Sequence, residues 1–102
     1  MTYFVMGEIT LKNDDWVVEY VTKVNVFIEK HGGRVLSRSI KVENIEGGRP
    51  LPTNVILIEF PSRQSARSFF DDPDYQTLRL LRQAGSNSEF ILFPAEDLAL
   101  SL

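Results

Sequence analysis

The segment Val55-Ile56-Leu57-Ile58-Glu59-Phe60-Pro61-Ser62 is the most informative part of this sequence. Apolar residues occupy both alternating sets of positions, a pattern that predicts a β-strand covered on both faces. The only charged residue is Glu59, and Pro61-Ser62 end the strand and begin a helix, with the serine as N-cap. Because the chain has only 102 residues, we expect another copy of the protein to cover one of the two faces of this strand.

The segments around it give the element order βαββαβ. Residues 3–11 predict the first strand and residues 89–94 the fourth, while Asn54–Phe60 is the third. The second strand, residues 34–45, is the most polar of the four, which is typical of a sheet edge. A loop over residues 46–52, which contains two glycines and two prolines, joins it to the third strand.

The first helix lies between the first two strands. It begins at Asn13-Asp14-Asp15, where the asparagine can cap free N–H groups and the aspartates favour the positive end of the helix dipole. Apolar residues follow at helical spacing from Trp16 to Ile28. The helix ends at His31-Gly32-Gly33, because glycine adopts the left-handed conformation that closes a helix.

The second helix begins at Ser62 and is interrupted at Asp71-Asp72-Pro73-Asp74. Proline cannot donate a hydrogen bond in mid-helix, but it suits the first position of a new helical segment. We therefore expect Asp72 to cap that segment, which continues over residues 75–84. This capping role explains the aspartates better than a cation site, because their spacing does not match a calcium loop.

This order predicts the α+β class, with a ferredoxin-like antiparallel sheet, both helices on one face, and strands one and three at the centre. The other face is also apolar, because Phe4 and Met6 alternate with Val5 and Ile9. An exposed apolar face is an association surface, so we predict a homodimer that closes through its sheet faces into a dimeric α/β barrel. The alternative is a monomer whose own tail covers that face. We assign the domain to residues 1–94 and the tail to residues 95–102.

Composition narrows the classes of function. The chain is 43% hydrophobic and 25% charged, which is typical of one globular domain. The net charge of −3 without a basic run argues against nucleic-acid binding. There are no cysteines, hence no disulfides or thiolate sites. No apolar run reaches membrane-spanning length and the first residues lack signal-peptide features, so we expect a cytoplasmic protein that does not bind membranes.

Several short motifs occur together along nearly the whole chain, from Tyr3 to about Phe93. They are His31-Gly32-Gly33-Arg34, Glu46-Gly47, Ile58-Glu59-Phe60-Pro61-Ser62, Ala66, Tyr75-Gln76 and Leu81-Arg82. In this combination the chain resembles the domain-of-unknown-function 1330 family. The resemblance implies the dimeric α/β barrel superfamily, which also holds cofactor-independent monooxygenases, haem-degrading enzymes and small-molecule isomerases. Two short segments depart from the family pattern: Ser39-Ile40 in the predicted second strand and Arg49-Pro50 in the loop over residues 46–52. These departures argue against assigning a ligand shared by the family to that loop.

Two residues are candidates for acid–base catalysis. His31, the only histidine, can act as a general base, a proton shuttle or a haem ligand, or can simply interact with the negative end of the helix dipole. Glu59 can serve as an acid–base group if it is buried and protonated, or can form a structural ion pair with an arginine. One imidazole and no thiolate make a metal site a poor expectation, and we predict no cofactor.

Five residues are candidates for binding a substrate. Tyr75, Arg79 and Arg82 lie at i, i+4 and i+7 on one helical stripe and can line a small anionic pocket. The alternative is a solvated basic face. Arg34 is either an anion ligand beside the Gly-Gly turn or an edge charge. Tyr20 belongs to the apolar stripe of the first helix, and its hydroxyl needs a partner if it is buried.

The sequence therefore leaves three functions open. The first is a metal-free enzyme acting on a small carbonyl-containing or aromatic molecule. The second is a non-catalytic binder of such a molecule in the same pocket, and the third is a dimerisation module without a pocket. We expect the homodimer as partner in each of these, and a small molecule as ligand in the first two.

Overall fold

The computed structural model describes residues 1–99 of the chain. Within them, the strands are β1 (Tyr3–Leu11), β2 (Arg34–Ser39), β3 (Asn54–Phe60) and β4 (Ser86–Pro94). The helices in the same range are α1 (Val17–Lys30), α2 (Arg63–Asp71) and α3 (Gln76–Gly85). None of these helices is long and apolar enough to cross a membrane.

The four strands form one antiparallel sheet in the order β2-β3-β1-β4. Strands β1 and β3 are central and β2 is at an edge, so the predicted ferredoxin-like topology is confirmed. In the register, Val5 lies opposite both Ile58 and Leu92. These three side chains point to the helices, because residues that are directly paired share a face of the sheet.

The core lies between this face of the sheet and the helices. Val5, Ile58 and Phe60 from the sheet are each at most 2% exposed. They pack with Ala66 and Phe69 of α2 in one buried cluster. This cluster also contains apolar residues of α1, an aromatic residue just before α1 and another aromatic residue within α1. The apolar stripe that the sequence showed in the first helix therefore faces the sheet as predicted.

The opposite face of the sheet, here named the open face, is apolar as well. Met6 lies opposite Leu57 on one side and Ile91 on the other, and Phe4 lies opposite Phe93. The rings of Phe4 and Phe93 meet edge to face with centroids 5.7 Å apart. Ile91 is 54% exposed and Phe93 is 36% exposed, so the described residues leave much of this face to solvent.

Helix α1 begins later than the sequence indicated. Its N-cap is Trp16 rather than Asn13, whose side chain instead accepts a hydrogen bond from the backbone N–H of Asp15 at 3.2 Å. The reason is the indole of Trp16, whose Nε1 donates to the carbonyl of Asn13 at 3.0 Å and to that of Gly85 at 3.1 Å. This contact fixes the start of α1 on the end of α3, where a Cβ at position 85 would collide with the indole.

The predicted second helix is two separate helices, α2 and α3, divided at the expected interruption. Ser62 caps α2 by accepting from the N–H of Ser65 at 3.0 Å, as predicted. Strand β2 is shorter than the expected residues 34–45, because its pairing with β3 ends at Ser39 and the N–H of Lys41 turns back to the hydroxyl of Ser39. Strand β4 is longer than expected, because its pairing with β1 extends back to Ser86.

The predicted C-terminal tail is described only in part. Ala95 continues from β4 and its N–H donates to the carbonyl of Thr2 at 2.9 Å. Leu98 is 51% exposed. Residues 100–102, which include Leu100 and Leu102, two of the three leucines of the tail, lie outside the described residues.

Candidate functional site

Two neighbouring cavities lie between the helices and the sheet. The outer cavity, of about 180 Å³, lies between α2, α3 and β4 and is bordered by Arg79 and Leu92. The inner cavity, of about 20 Å³, lies deeper among apolar side chains of α1 and the central strands. Phe70 and Phe90 line both cavities. Their rings meet edge to face with centroids 5.6 Å apart, so this aromatic pair forms the wall between the two spaces.

A pair of buried tyrosines borders the inner cavity. Tyr20 on α1 and Tyr75 at the start of α3 are 9% and 1% exposed. Their hydroxyl oxygens are 2.6 Å apart, within hydrogen-bonding distance. Burial raises the pKa of Tyr20 above its usual range, and the nearby hydroxyl of Tyr75 acts in the same direction. Tyr20 therefore stays a neutral phenol at neutral pH and can donate or accept one hydrogen bond.

Arg82 lies beside this pair, and the three residues Tyr20, Tyr75 and Arg82 are here named the Arg82 cluster. Arg82 is 3% exposed. Its Nη1 donates to the hydroxyl of Ser88, and its guanidinium carbon lies 4.4 Å from the centroid of the Phe90 ring. Its Nε makes no hydrogen bond, and among residues 1–99 no carboxylate pairs with it. A guanidinium is always charged in proteins, so this cluster carries an uncompensated positive charge.

Arg79 lies at the mouth of the outer cavity. Its Nη1 donates to the carbonyl of Phe70 at 3.1 Å, and its guanidinium carbon is 5.7 Å from the centroid of the Phe70 ring. Of the helical stripe predicted from the sequence, Tyr75 lines the inner cavity and Arg79 lines the outer one. Arg82 lines neither cavity, but its guanidinium contacts the rings of Tyr20 and Phe90, which line the inner one. The alternative of a solvated basic face does not hold for the two buried members.

His31 belongs to a second polar group, formed with Lys30 and the buried Asp72 and here named the Asp72 cluster. The carboxylate of Asp72 is 2% exposed, and its Oδ2 lies 2.8 Å from Nζ of Lys30 and 2.7 Å from Nε2 of His31. Its Oδ1 accepts from the N–H of Asp74 at 2.9 Å, within the turn that precedes α3. The predicted capping role is therefore wrong, because the N-cap of α3 is Tyr75, which makes no side-chain cap hydrogen bond. The ammonium of Lys30, the imidazole and the N–H of Asp74 hold the pKa of Asp72 well below its usual range.

The Asp72 cluster joins the end of α1 to the junction of α2 and α3. His31 is the C-cap of α1, and Gly32 follows with a φ of +78°, as the sequence predicted for this turn. His31 lines neither cavity between the sheet and the helices. Its contacts are those of a residue that fastens two helices together.

Glu59 and Arg34 lie on the open face, away from the Arg82 cluster. They are directly opposite each other on β3 and β2, and Nη2 of Arg34 is 2.8 Å from Oε1 of Glu59. Of the two roles that the sequence left open for Glu59, this contact corresponds to the ion pair with an arginine. The pair is an ion pair between strands, with side chains 72% and 29% exposed, and neither residue lines the inner or outer cavity.

Sequence reasoning missed two residues of the site. Phe90 was assigned only to a strand, although its alternation with Leu92 placed both on the face toward the helices. Ser88 lay outside the predicted strand, and its contact with Arg82 had no signal in the sequence. Among residues 1–99, no three histidine, aspartate or glutamate side chains are grouped as a metal site requires.

The sequence itself identifies the family. The model of the family described as Domain of unknown function (DUF1330) matches residues 2–95. The chain belongs to this family. A comparison with curated proteins finds no match.

Solved structures of other proteins share the fold of this DUF1330 protein. A protein of unknown function from Rhodopseudomonas palustris superimposes with a TM-score of 0.77 at 18% identity, over 94% of this chain and 84% of that one. A dimeric ferredoxin-like protein from Jannaschia sp. CCS1 gives 0.76 at 8% identity, over 93% and 100%. SnoaB from Streptomyces nogalater, a cofactor-independent oxygenase, gives 0.69 at 14% identity, over 94% of each chain. At these identities the likeness concerns the fold alone.

Proposed function

We propose that this protein is a homodimer that binds a small aromatic or carbonyl-containing molecule between its sheet and its helices. The observation that carries the proposal is the hydroxyl pair of Tyr20 and Tyr75, which lines an aromatic-walled cavity and has the buried Arg82 beside it. Binding sites for small molecules are concave and mostly apolar, with a few polar groups that orient the ligand. The outer cavity of about 180 Å³ is small, which suits a single-ring molecule.

The aromatic pair sets how such a molecule would enter. Phe70 and Phe90 separate the outer cavity from the tyrosine hydroxyls, so a ligand that reaches the hydroxyls must displace one ring. Phe70 is on the last turn of α2, next to the break at Asp72, where a side chain has more freedom than in mid-helix. Arg79 at the mouth holds the carbonyl of Phe70 and would orient the incoming molecule.

Dimerisation through the open face is the second part of the proposal. An apolar face of this kind is an association surface, and a two-fold axis lets it cover itself. The fold likeness to a dimeric ferredoxin-like protein supports this arrangement. Ion pairs flank the apolar patch, with Arg34 and Glu59 on one side and Arg49 and Glu8, 2.6 Å apart, on the other. Closure would place these pairs at the interior or rim of an α/β barrel.

A metal-free enzyme is the second candidate, favoured by the hydroxyl pair beside a guanidinium. Donors of this kind stabilise negative charge that develops on a carbonyl oxygen, and the chain shares its fold with a cofactor-independent oxygenase. Proton abstraction also needs a base, and His31 and Glu59 line neither cavity. Binding is therefore the function that we propose, and we infer structural roles for these two residues.

The ligand proposal is tested by native mass spectrometry of protein freshly isolated from cells. We expect a dimer mass with a bound small molecule. Leu92→Trp, which fills the outer cavity, should lose that molecule and keep the dimer. The matched control is Leu80→Trp, because Leu80 is 65% exposed on α3 and should keep both. Retention of the molecule in Leu92→Trp would place the ligand elsewhere.

The dimer proposal is tested by sedimentation equilibrium at micromolar concentration. Leu57→Arg places a charge at the centre of the open face and should give monomers. Val18→Arg adds the same side chain on α1, where Val18 is 74% exposed, and should leave the dimer intact. A monomeric wild-type protein under these conditions would refute closure through the sheet.

A further inference from the structure

We infer that the ligand of the inner and outer cavities is a carboxylate, and that its charged group pairs with Arg82. This inference rests on the proposed function, because it names the chemical class of the ligand for that same site. It commits to small organic acids with one aromatic ring or a chain of similar size. The negative group would enter first and lie toward the tyrosine hydroxyls.

The first step of the argument is a contrast among the arginines. Arg34 and Arg49 are 72% and 64% exposed in their side chains, yet each pairs with a carboxylate. Arg82 is 3% exposed and has no such partner within residues 1–99. A charge removed from water is costly unless it is paired, so Arg82, the arginine that most needs an anion, has none among residues 1–99.

The contacts of Arg82 compensate its charge only in part. Stacking on Phe90 at 4.4 Å is a favourable cation–π contact, and Ser88 accepts one of five possible hydrogen bonds. The buried Nε donates to nothing. A planar guanidinium with free donors binds a carboxylate through two parallel hydrogen bonds, so the unused donors match this ligand group.

The surroundings of the cavities favour an anion as well. The outer cavity is lined by Arg67 and Arg79 as well as by one carboxylate, that of Asp71 at the exposed end of α2. No acidic residue lines the inner cavity. The hydroxyls of Tyr20 and Tyr75 lie 2.6 Å apart, and either one can turn its proton to a carboxylate oxygen. Arg82 itself lines neither cavity, so an anion moving inward reaches its guanidinium only when the Phe90 ring, on which the guanidinium stacks, is displaced. On this path the anion would leave one acidic side chain behind and approach a cation and two donors.

The test compares benzoate with benzamide, which has the same shape and no charge, by titration calorimetry of the full-length protein. Phenylacetate and phenylacetamide form a second matched pair. We expect each acid to bind roughly ten- to hundred-fold more tightly than its amide, because hydrogen bonds to charged groups are the stronger ones. In Arg82→Met this preference should vanish. The control Arg63→Met removes an exposed arginine of α2 that lines neither cavity, and it should retain the preference.

The possible outcomes distinguish a failure of the carboxylate inference from a failure of the proposed binding function. Equal binding of acids and amides to the wild-type protein would overturn the inference and leave the pocket standing. Binding of none of the four compounds would overturn both. If Arg82→Met keeps the preference, or if Leu92→Trp still binds benzoate, the anion site is not at Arg82. Should Arg82→Met fail to fold, Arg67→Met/Arg79→Met decides, because both arginines line the outer cavity: a preference that persists there supports Arg82, and one that vanishes places the anion in the outer cavity.

Discussion

Two polar clusters, each built around one buried charge, connect the helices, and they differ in how that charge is balanced. In the Asp72 cluster, one buried carboxylate meets an ammonium, an imidazole and a backbone N–H. In the Arg82 cluster, one buried guanidinium meets a hydroxyl and an aromatic ring and keeps an unused donor. The first arrangement is what a fold needs for stability. The second leaves a charge that a ligand can use, and from this difference we infer which cluster is structural and which is functional.

The largest effect is expected from Asp72→Asn. The change leaves Lys30 and His31 without their carboxylate and weakens the turn before α3, where Asp72 accepts from the N–H of Asp74. It should therefore destabilise the protein more than the loss of any polar group in the Arg82 cluster. Asp71→Asn is the control, because Asp71 is an exposed neighbour with no ion pair within residues 1–99. The measurement is thermal unfolding of both variants at neutral pH.

The same pair of variants fixes the pH dependence of the Asp72 cluster. The pKa of Asp72 is lower in the folded protein than its usual value of 3.8, so its contribution is present above that value and is lost as the pH falls below it. Wild type and Asp71→Asn should therefore lose stability together between about pH 5 and pH 2, while Asp72→Asn should lose less over that range. If Asp72→Asn lost as much stability at low pH as the wild type, the attribution of this pH dependence to Asp72 would be wrong.

The next largest effect is expected from breaking the tyrosine pair. Tyr75→Phe removes one hydroxyl and leaves the buried hydroxyl of Tyr20 without its partner, which costs about 1–3 kcal/mol in the free energy of unfolding. The double variant Tyr20→Phe/Tyr75→Phe removes both and should lose less than the sum of the two single changes. Urea unfolding of the four proteins in this cycle provides the measurement. Additive losses would mean that the two hydroxyls do not interact.

Alkaline pH should destabilise the Arg82 cluster in the same way that acid destabilises the Asp72 cluster. The pKa of Tyr20 is raised by burial above its usual value of 10.0. The neutral phenol therefore contributes stability that is present below pH 10 and is lost as the pH rises, by up to about 1.4 kcal/mol per pH unit for one group. In Tyr20→Phe, the free energy of unfolding should fall less steeply as the pH rises. Urea midpoints between pH 9 and pH 11 measure the slope for both proteins.

The architecture could be predicted because its signals are local in the sequence. Three of these signals involve only neighbouring residues, and the structure agrees with them. They are the apolar residues on both alternating sets of positions in Asn54–Phe60, the helical spacing from Trp16 to Ile28, and the Ser62 cap. The predicted start of α1 was wrong because it depends on a contact between Trp16 and Gly85, 69 residues apart. Such contacts carry no local pattern.

The candidate site could be predicted only in part for the same reason. The spacing of Tyr75, Arg79 and Arg82 showed a shared helical stripe, but a charged stripe normally faces solvent, and nothing nearby indicated that Arg82 is buried. His31 and Asp72 meet across 41 residues, so the sequence showed a helix interruption and a helix end without showing their contact. Charge balance becomes visible only when distant segments are placed together.

The smallest effect on stability, and the one of opposite sign, is expected from Arg82→Met without ligand. Replacing an unpaired buried charge by an apolar side chain of similar length is often neutral or stabilising, by about 1–4 kcal/mol. If the Arg82 cluster exists for binding, its removal should therefore leave the free energy of unfolding unchanged or raise it, whereas loss of Asp72 lowers it. Urea unfolding of Arg82→Met beside Arg63→Met measures this. A large loss of stability confined to Arg82→Met would make the guanidinium a structural group like Asp72 and would remove the distinction between the two clusters.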